Sequence, residues 1–354
     1  MEVSRSGDCP DAGSTTNAAC RLPGVFPNDR TFQGELDLLY IDVHVNVNKS
    51  WHNDTTEEQE REGSTGSPQA ASPVDHEAPH RRQSKMTDLS TPSIRTHDSW
   101  VEHPQGRIYA RSWTPSNMRS TAAPIVLFHD SLGCVELWRD FPAELSAAAG
   151  RRVVAYDRLG FGKSGPRRAR PALDFIADEA ATYFPAVREQ LGIGRFIAFG
   201  HSVGGAMAIH CAAAFAAECE ALITESAQVF PEELTLRSIA QAKEQFRDET
   251  QIGRLAKYHG DKTAWVLDAW TENWLDLEFA SWSLDTVLPR VACPVLAIHG
   301  NQDEYGSTCH AEIIGNLSNG RAQVEVVPDT RHVPHRERPA VVLELVSRFA
   351  GSLD

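Results

Sequence analysis

The pentapeptide Gly200-His201-Ser202-Val203-Gly204 offers a serine placed to act as a covalent nucleophile. The apolar run before it, residues 195–199, reads as a buried strand. The small-residue run after it, residues 203–217, reads as a helix. A serine at such a strand-to-helix turn is held in strained backbone geometry, and flanking glycines let the chain pass close to itself. The hydroxyl then projects beside a helix N-terminus, which favours developing negative charge. A serine hydroxyl is a weak nucleophile until a base takes its proton. His332, in Asp329-Thr330-Arg331-His332-Val333-Pro334, follows the last apolar run by a few residues and is the expected base; His335 is its rival. The base needs a carboxylate to fix its tautomer and stabilise the imidazolium. Asp303, after the run at 294–299, is the expected acid, with Glu225 the alternative and Glu304 read as a solvated loop acid. Two backbone N–H groups are expected to hold the oxyanion. One belongs to Val203, directly after the nucleophile, and one to Ser131 in His129-Asp130-Ser131-Leu132-Gly133.

These groups need a scaffold that brings distant segments together. From residue 96 onward, short apolar runs alternate with helical stretches. Segments 99–103 and 107–113 read as a hairpin around Pro104-Gln105-Gly106. Strands are expected at 124–129, 152–156, 195–199, 221–224, 294–299 and 323–327. Helices are expected at 135–149, 173–191, 203–217, 309–317 and 337–349. This alternation predicts an α/β fold with a mostly parallel sheet covered on both faces. The interval at about 230–290 breaks the pattern, reads as helical and carries Trp265, Trp270, Trp274 and Trp282, as a lid would. Trp138 and Trp274 are the expected substrate-binding aromatics. His129 and His201 read as buried braces.

Residues 1–95 have a different character. Residues 50–93 are rich in Ser, Thr, Glu, Gln, Pro and His, a composition that does not bury enough apolar surface to order itself. A partly alternating stretch at 36–47 is the exception. Residues 1–95 are therefore expected to be a disordered leader and 96–354 the folded domain, with Met86 a candidate start.

The net charge of -14 argues against nucleic acid or an anionic membrane as a partner. Seven cysteines without Cys-x-x-Cys spacing read as free thiols. No run approaches the ~20 apolar residues of a membrane span, so a cytoplasmic protein is expected, as monomer or homodimer. The loop Asp157-Arg158-Leu159-Gly160-Phe161-Gly162-Lys163-Ser164 lacks the full phosphate-cradle pattern and reads as a structural turn. No cluster has metal-ligand spacing.

Taken together, five stretches resemble the α/β-hydrolase superfamily: 129–133, 157–164, 200–205, 299–303 and His332. The chain also resembles bacterial hydrolases with Trp-Arg-Asp-Phe-Pro at 138–142, Asp-Glu-Tyr-Gly at 303–306 and His-x-Pro-His at 332–335. The oxyanion loop departs from the superfamily in having Asp130 where glycine is usual, and Val203 stands where related chains often have Asp. Members of the fold that use an aspartate nucleophile differ from this chain at Ser202. The resemblance implies hydrolysis of a carboxylic ester, thioester or lactone, without a cofactor, on a small-molecule substrate. Cofactor-free haloperoxidase or C–C bond hydrolase chemistry on the same triad remains an alternative, as does a hydrolase-like ligand receptor.

Overall fold

The computed structural model describes residues 92–118 and 122–353. The expected leader, apart from its last four residues, lies outside the described residues. The first strand, β1, begins at Ile94. It spans Ile94–Val101 and pairs antiparallel with β2, Ile108–Pro115.

Eight strands form one sheet in the order β1-β2-β4-β3-β5-β6-β7-β8. The others are β3 Ile125–Phe128, β4 Val153–Tyr156, β5 Phe196–His201, β6 Cys219–Glu225, β7 Val295–Gly300 and β8 Ala322–Val327. The pairs from β4 through β8 are all parallel. Strands β3, β4, β5 and β7 are buried at every position. That is what near-continuous apolar runs produce when both faces are covered. Edge strand β8 alternates toward solvent instead.

The helices follow in chain order: α1 Phe141–Ala149, α2 Phe175–Asp178, α3 Phe184–Gln190, α4 Val203–Ala214, α5 Glu233–Gln245, α6 Glu249–His259, α7 Thr263–Trp274, α8 Cys309–Leu317, α9 Pro334–Glu337 and α10 Pro339–Gly351. Helices α1 and α10 pack together on one face, over a core that includes Trp138, Phe141, Phe199 and Phe349. Helix α4 lies against β3, β5 and β6 on the sheet.

Two expected helices are interrupted and a third begins after a short unexpected one, each beside a proline. The stretch at 135–149 is a short 3₁₀ turn, Val135–Trp138, then α1, with Arg139 between them at φ 53°. Pro142 lacks an N–H and its ring would collide with the carbonyl four residues back, so one continuous helix cannot form. Ahead of Pro185 a π turn, Glu179–Tyr183, separates α2 from α3. Before Pro339, Arg338 sits at φ -135°, dividing α9 from α10. The interval between β6 and β7, the expected lid, is helical in its main segments, α5 to α7. Among the described residues no helix is long and apolar enough to cross a membrane.

Candidate active site

Ser202 sits at the tip of β5 with φ 55° and ψ -126°, a conformation that costs a non-glycine residue about 1–3 kcal/mol. The surroundings hold it there. Its N–H donates to the Glu225 carbonyl at 2.9 Å. A Cβ on Gly200 would lie 2.1 Å from the Gly204 carbonyl oxygen, and one on Gly204 would lie 2.1 Å from that of Phe128. Only glycine lets the strand, the turn and the neighbouring strand approach this closely. Two further residues at positive φ stand just beyond strand ends: Ser226 (φ 48°) directly after β6, and Asp329 (φ 49°) after β8, shortly before His332.

The expected trio comes together. His332 Nε2 is 3.0 Å from Ser202 Oγ, and its Nδ1 is 2.8 and 2.9 Å from the two Asp303 oxygens. A carboxylate on Nδ1 fixes the tautomer with its proton there, so Nε2 accepts from the serine hydroxyl. Asp303 Oδ1 also accepts from the N–H groups of Tyr305 at 2.8 Å and Gly306 at 3.2 Å, and His299 Nε2 lies 3.1 Å from Oδ2. Burial would raise this carboxyl, but His332 and His299 outweigh it and hold it well below the usual carboxylate range. Burial likewise disfavours the His332 cation, yet the Asp303 charge and hydrogen bond prevail and raise its pKa.

The two rivals pair with each other instead. His335 Nδ1 is 2.6 Å from Glu225 Oε2, in a core formed with Trp138 and Phe141. Between the two pairs lies His201, whose Nε2 donates to the His332 carbonyl at 2.8 Å. Burial pushes His201 down to about 3, so the ring is neutral. His201, Glu225 and His335 could together offer ligand atoms to a metal, within 4.8 Å of one another. Their hydrogen bonds already occupy a ring nitrogen on each histidine and one glutamate oxygen. Spacing along the chain could not have revealed this set, because the three residues come from β5, β6 and α9.

Neither the Val203 nor the Ser131 N–H has an acceptor among the described residues, and both residues line one cleft. The Ser131 side is fixed by a clamp on the preceding carbonyl. His129 Nε2 accepts from the Arg158 backbone N–H at 3.0 Å, which leaves the ring proton on Nδ1, 2.8 Å from the Asp130 carbonyl. Arg158 Nη2 donates to the same carbonyl at 2.6 Å. Because the peptide is planar and trans, holding this carbonyl also orients the Ser131 N–H, on its opposite side. His129 thus occupies the bracing position expected of it.

The aromatic expectations divide. Trp274 lines the cleft together with Trp270. Trp138 does not line it. It is 3% exposed and packs against Phe141, Phe199 and His335, because the break at Arg139 folds its short turn onto the sheet. Of the other lid tryptophans, Trp265 lies against Gly160 and Phe161, and Trp282 stacks on Phe279. Gln228, not foreseen from sequence, places Oε1 3.4 Å from Ser202 Oγ. Tyr305 packs its ring 4.9 Å from that of His332. Neither residue belongs to a spacing pattern that would have marked it.

Comparison with known proteins agrees with this geometry. A family profile described as alpha/beta hydrolase fold matches residues 123–262. The chain is 32% identical over 117 residues to the 1-acylglycerol-3-phosphate O-acyltransferase ABHD5 of Homo sapiens, covering 32% of each chain. It is 33% identical over 91 residues to the proline iminopeptidase of Lactobacillus helveticus, covering 26% of this chain and 31% of that one. The match thus spans about a third of the length of these curated relatives. The solved structure of a bacterial membrane phospholipase A superposes with a TM-score of 0.58 at 20% identity, over 73% of this chain and 86% of that one. By sheet order, turn geometry and these likenesses, the chain has the α/β-hydrolase fold.

Proposed function

We propose that this protein is a serine hydrolase acting on a carboxylic ester, thioester or lactone. The observation that carries the reading is the hydrogen-bonded line from Asp303 through His332 to Ser202, with 3.0 Å between His332 Nε2 and Ser202 Oγ. Ser202 attacks the substrate carbonyl as His332 Nε2 takes its proton. The oxyanion is held by the N–H groups of Val203 and Ser131. His332 then returns the proton to the leaving group, and an acyl-enzyme remains on Ser202. Water, deprotonated by the same nitrogen, releases the acid. These steps use water and a small-molecule substrate, with no cofactor.

Labelling by a fluorophosphonate, followed by an ester, thioester and lactone panel, tests the reading. Covalent modification at Ser202 and turnover of at least one class are expected. An unlabelled Ser202 in folded protein would remove the nucleophile from the scheme. Acyl transfer to an alcohol in place of water is a second reading, favoured by the relative named as an acyltransferase. Adding glycerol to the panel and measuring acylglycerol against free acid separates the two.

A further inference from the structure

The cleft that meets Ser131 and Val203 carries unbalanced positive charge on its wall. Its charged lining groups are Arg158, Arg167 and Glu179. Arg158 is 6% exposed. Nη2 serves the Asp130 carbonyl at 2.6 Å, Nε lies 3.4 Å from His129 Nε2, and the guanidinium stacks 4.2 Å over the Phe161 ring. None of these partners is a carboxylate, and among the described residues none forms an ion pair with it. Arg167 is half-buried and faces the Tyr183 ring at 5.5 Å. Glu179 is the one acid on the wall. Its carboxylate already accepts from the Tyr156 hydroxyl at 2.7 Å, and its single charge acts on both Arg158 and Arg167.

One acid set against two guanidinium groups leaves the wall with an excess of positive charge, and a guanidinium is the side chain best suited to a carboxylate or phosphate. The remaining wall is apolar, formed by Phe175, Met207, Trp270 and Trp274. The cleft has a volume of about 460 Å³ and is partly open to solvent.

We infer that the cleft takes substrates carrying an anionic group, a carboxylate or a phosphate, which sits at Arg158 and Arg167 while the scissile carbonyl lies at Ser202. This rests on Ser202 being the nucleophile and specifies the substrate class. The same pair would reject a substrate that brings a cation to the cleft.

Two matched pairs of substrates on the full chain test it. The carboxylate arm compares p-nitrophenyl hydrogen glutarate with its neutral methyl ester. The phosphate arm compares 1-butanoylglycerol 3-phosphate with 1-butanoylglycerol. The anionic member of at least one pair should be favoured about tenfold or more in kcat/KM, as a charge-assisted contact gives, and the arm that responds identifies the anion. Arg167→Glu should lower that preference about tenfold. Arg158→Met should do likewise, and if it fails to fold, Arg167→Glu still decides the matter. Equal or faster turnover of the neutral member in both pairs overturns the inference, as does a preference that Arg167→Glu leaves unchanged. Fluorophosphonate labelling without turnover of either anionic ester also overturns it, while leaving the nucleophile assigned. Absence of both labelling and turnover removes the serine hydrolase reading, and the inference with it.

Discussion

Two carboxylate–imidazole pairs stand on either side of His201, and they differ in charge although they are built from the same chemistry. Asp303 accepts from two backbone N–H groups and lies within reach of two imidazoles, so it stays ionised and raises His332. Glu225 has His335 on one oxygen and nothing on the other. Burial pushes it up to about 7, and pushes His335 well below the ordinary imidazole value. One pair is therefore polarised and faces a hydroxyl, while the other, with a carboxyl pushed up to about 7, is sealed behind Trp138 and Phe141. The number of donors to the carboxylate, more than its identity, separates a pair able to move protons from a structural one.

The largest break in this comparison is removal of the hydroxyl that only one pair touches. Ser202→Ala should reduce turnover by on the order of 10⁶ and abolish labelling with no loss of fold. Steady-state rates with a melting curve check it, and more than a few per cent residual activity would contradict the assignment.

Next come the acids themselves. Asp303→Asn should cost roughly 10⁴ in kcat, because the amide can hold the wrong tautomer of His332. Glu225→Gln should cost less than about tenfold, since its histidine does not reach the serine. Parallel kinetics on the two variants decide it. A more damaging Glu225→Gln would exchange the roles of the pairs.

A third prediction uses proton occupancy. His332 must be neutral to accept the serine proton, and its pKa is raised from 6.5. The acid limb of kcat/KM should therefore have its midpoint above 6.5, with activity rising about tenfold per pH unit below it. In Asp303→Asn, which removes the raising charge, the midpoint should fall. A profile unmoved by the substitution would show that another group titrates.

The smallest effect concerns stability. Glu225 is raised from 4.5 to about 7, so it binds its proton more tightly in the folded chain. Its contribution is complete below 4.5 and is lost as the pH rises through 7. Glu225→Gln carries no such charge to bury. Relative to wild type it should gain about 1–3 kcal/mol between pH 5 and pH 8, measured by denaturant unfolding. A constant difference across that range would mean Glu225 is not the titrating group.

Much of this arrangement was legible in the sequence because it depends on chain order and strand ends. Ser202 follows β5, Asp303 follows β7 and His332 follows β8, and the fold collects strand ends at one edge. Short apolar runs gave the strands from β2 onward to within a residue or two, whereas β1 begins five residues before the arm expected at 99–103. What depends on packing across the fold was hidden. The pairing of Glu225 with His335 joins residues 110 apart. Trp138 read as a pocket residue because it comes shortly after the loop at 129–133, and the break at Arg139 places it in the core instead. Arg158 belonged to a loop read as a structural turn. It does brace the oxyanion loop, but its position on the cleft wall follows only from the placement of the lid helices and the π turn carrying Glu179.

Ser202 and Val203 are adjacent, yet their amide hydrogens have unlike surroundings. That of Ser202 is bonded to the Glu225 carbonyl between two central strands, while that of Val203 has no acceptor among the described residues. In heavy water the first should exchange only when the strands themselves separate, and the second as soon as solvent enters the cleft. An anion resting in the oxyanion site would slow the second and leave the first unchanged. Two consecutive positions of the backbone thus record, on separate timescales, the integrity of the sheet and the occupancy of the site.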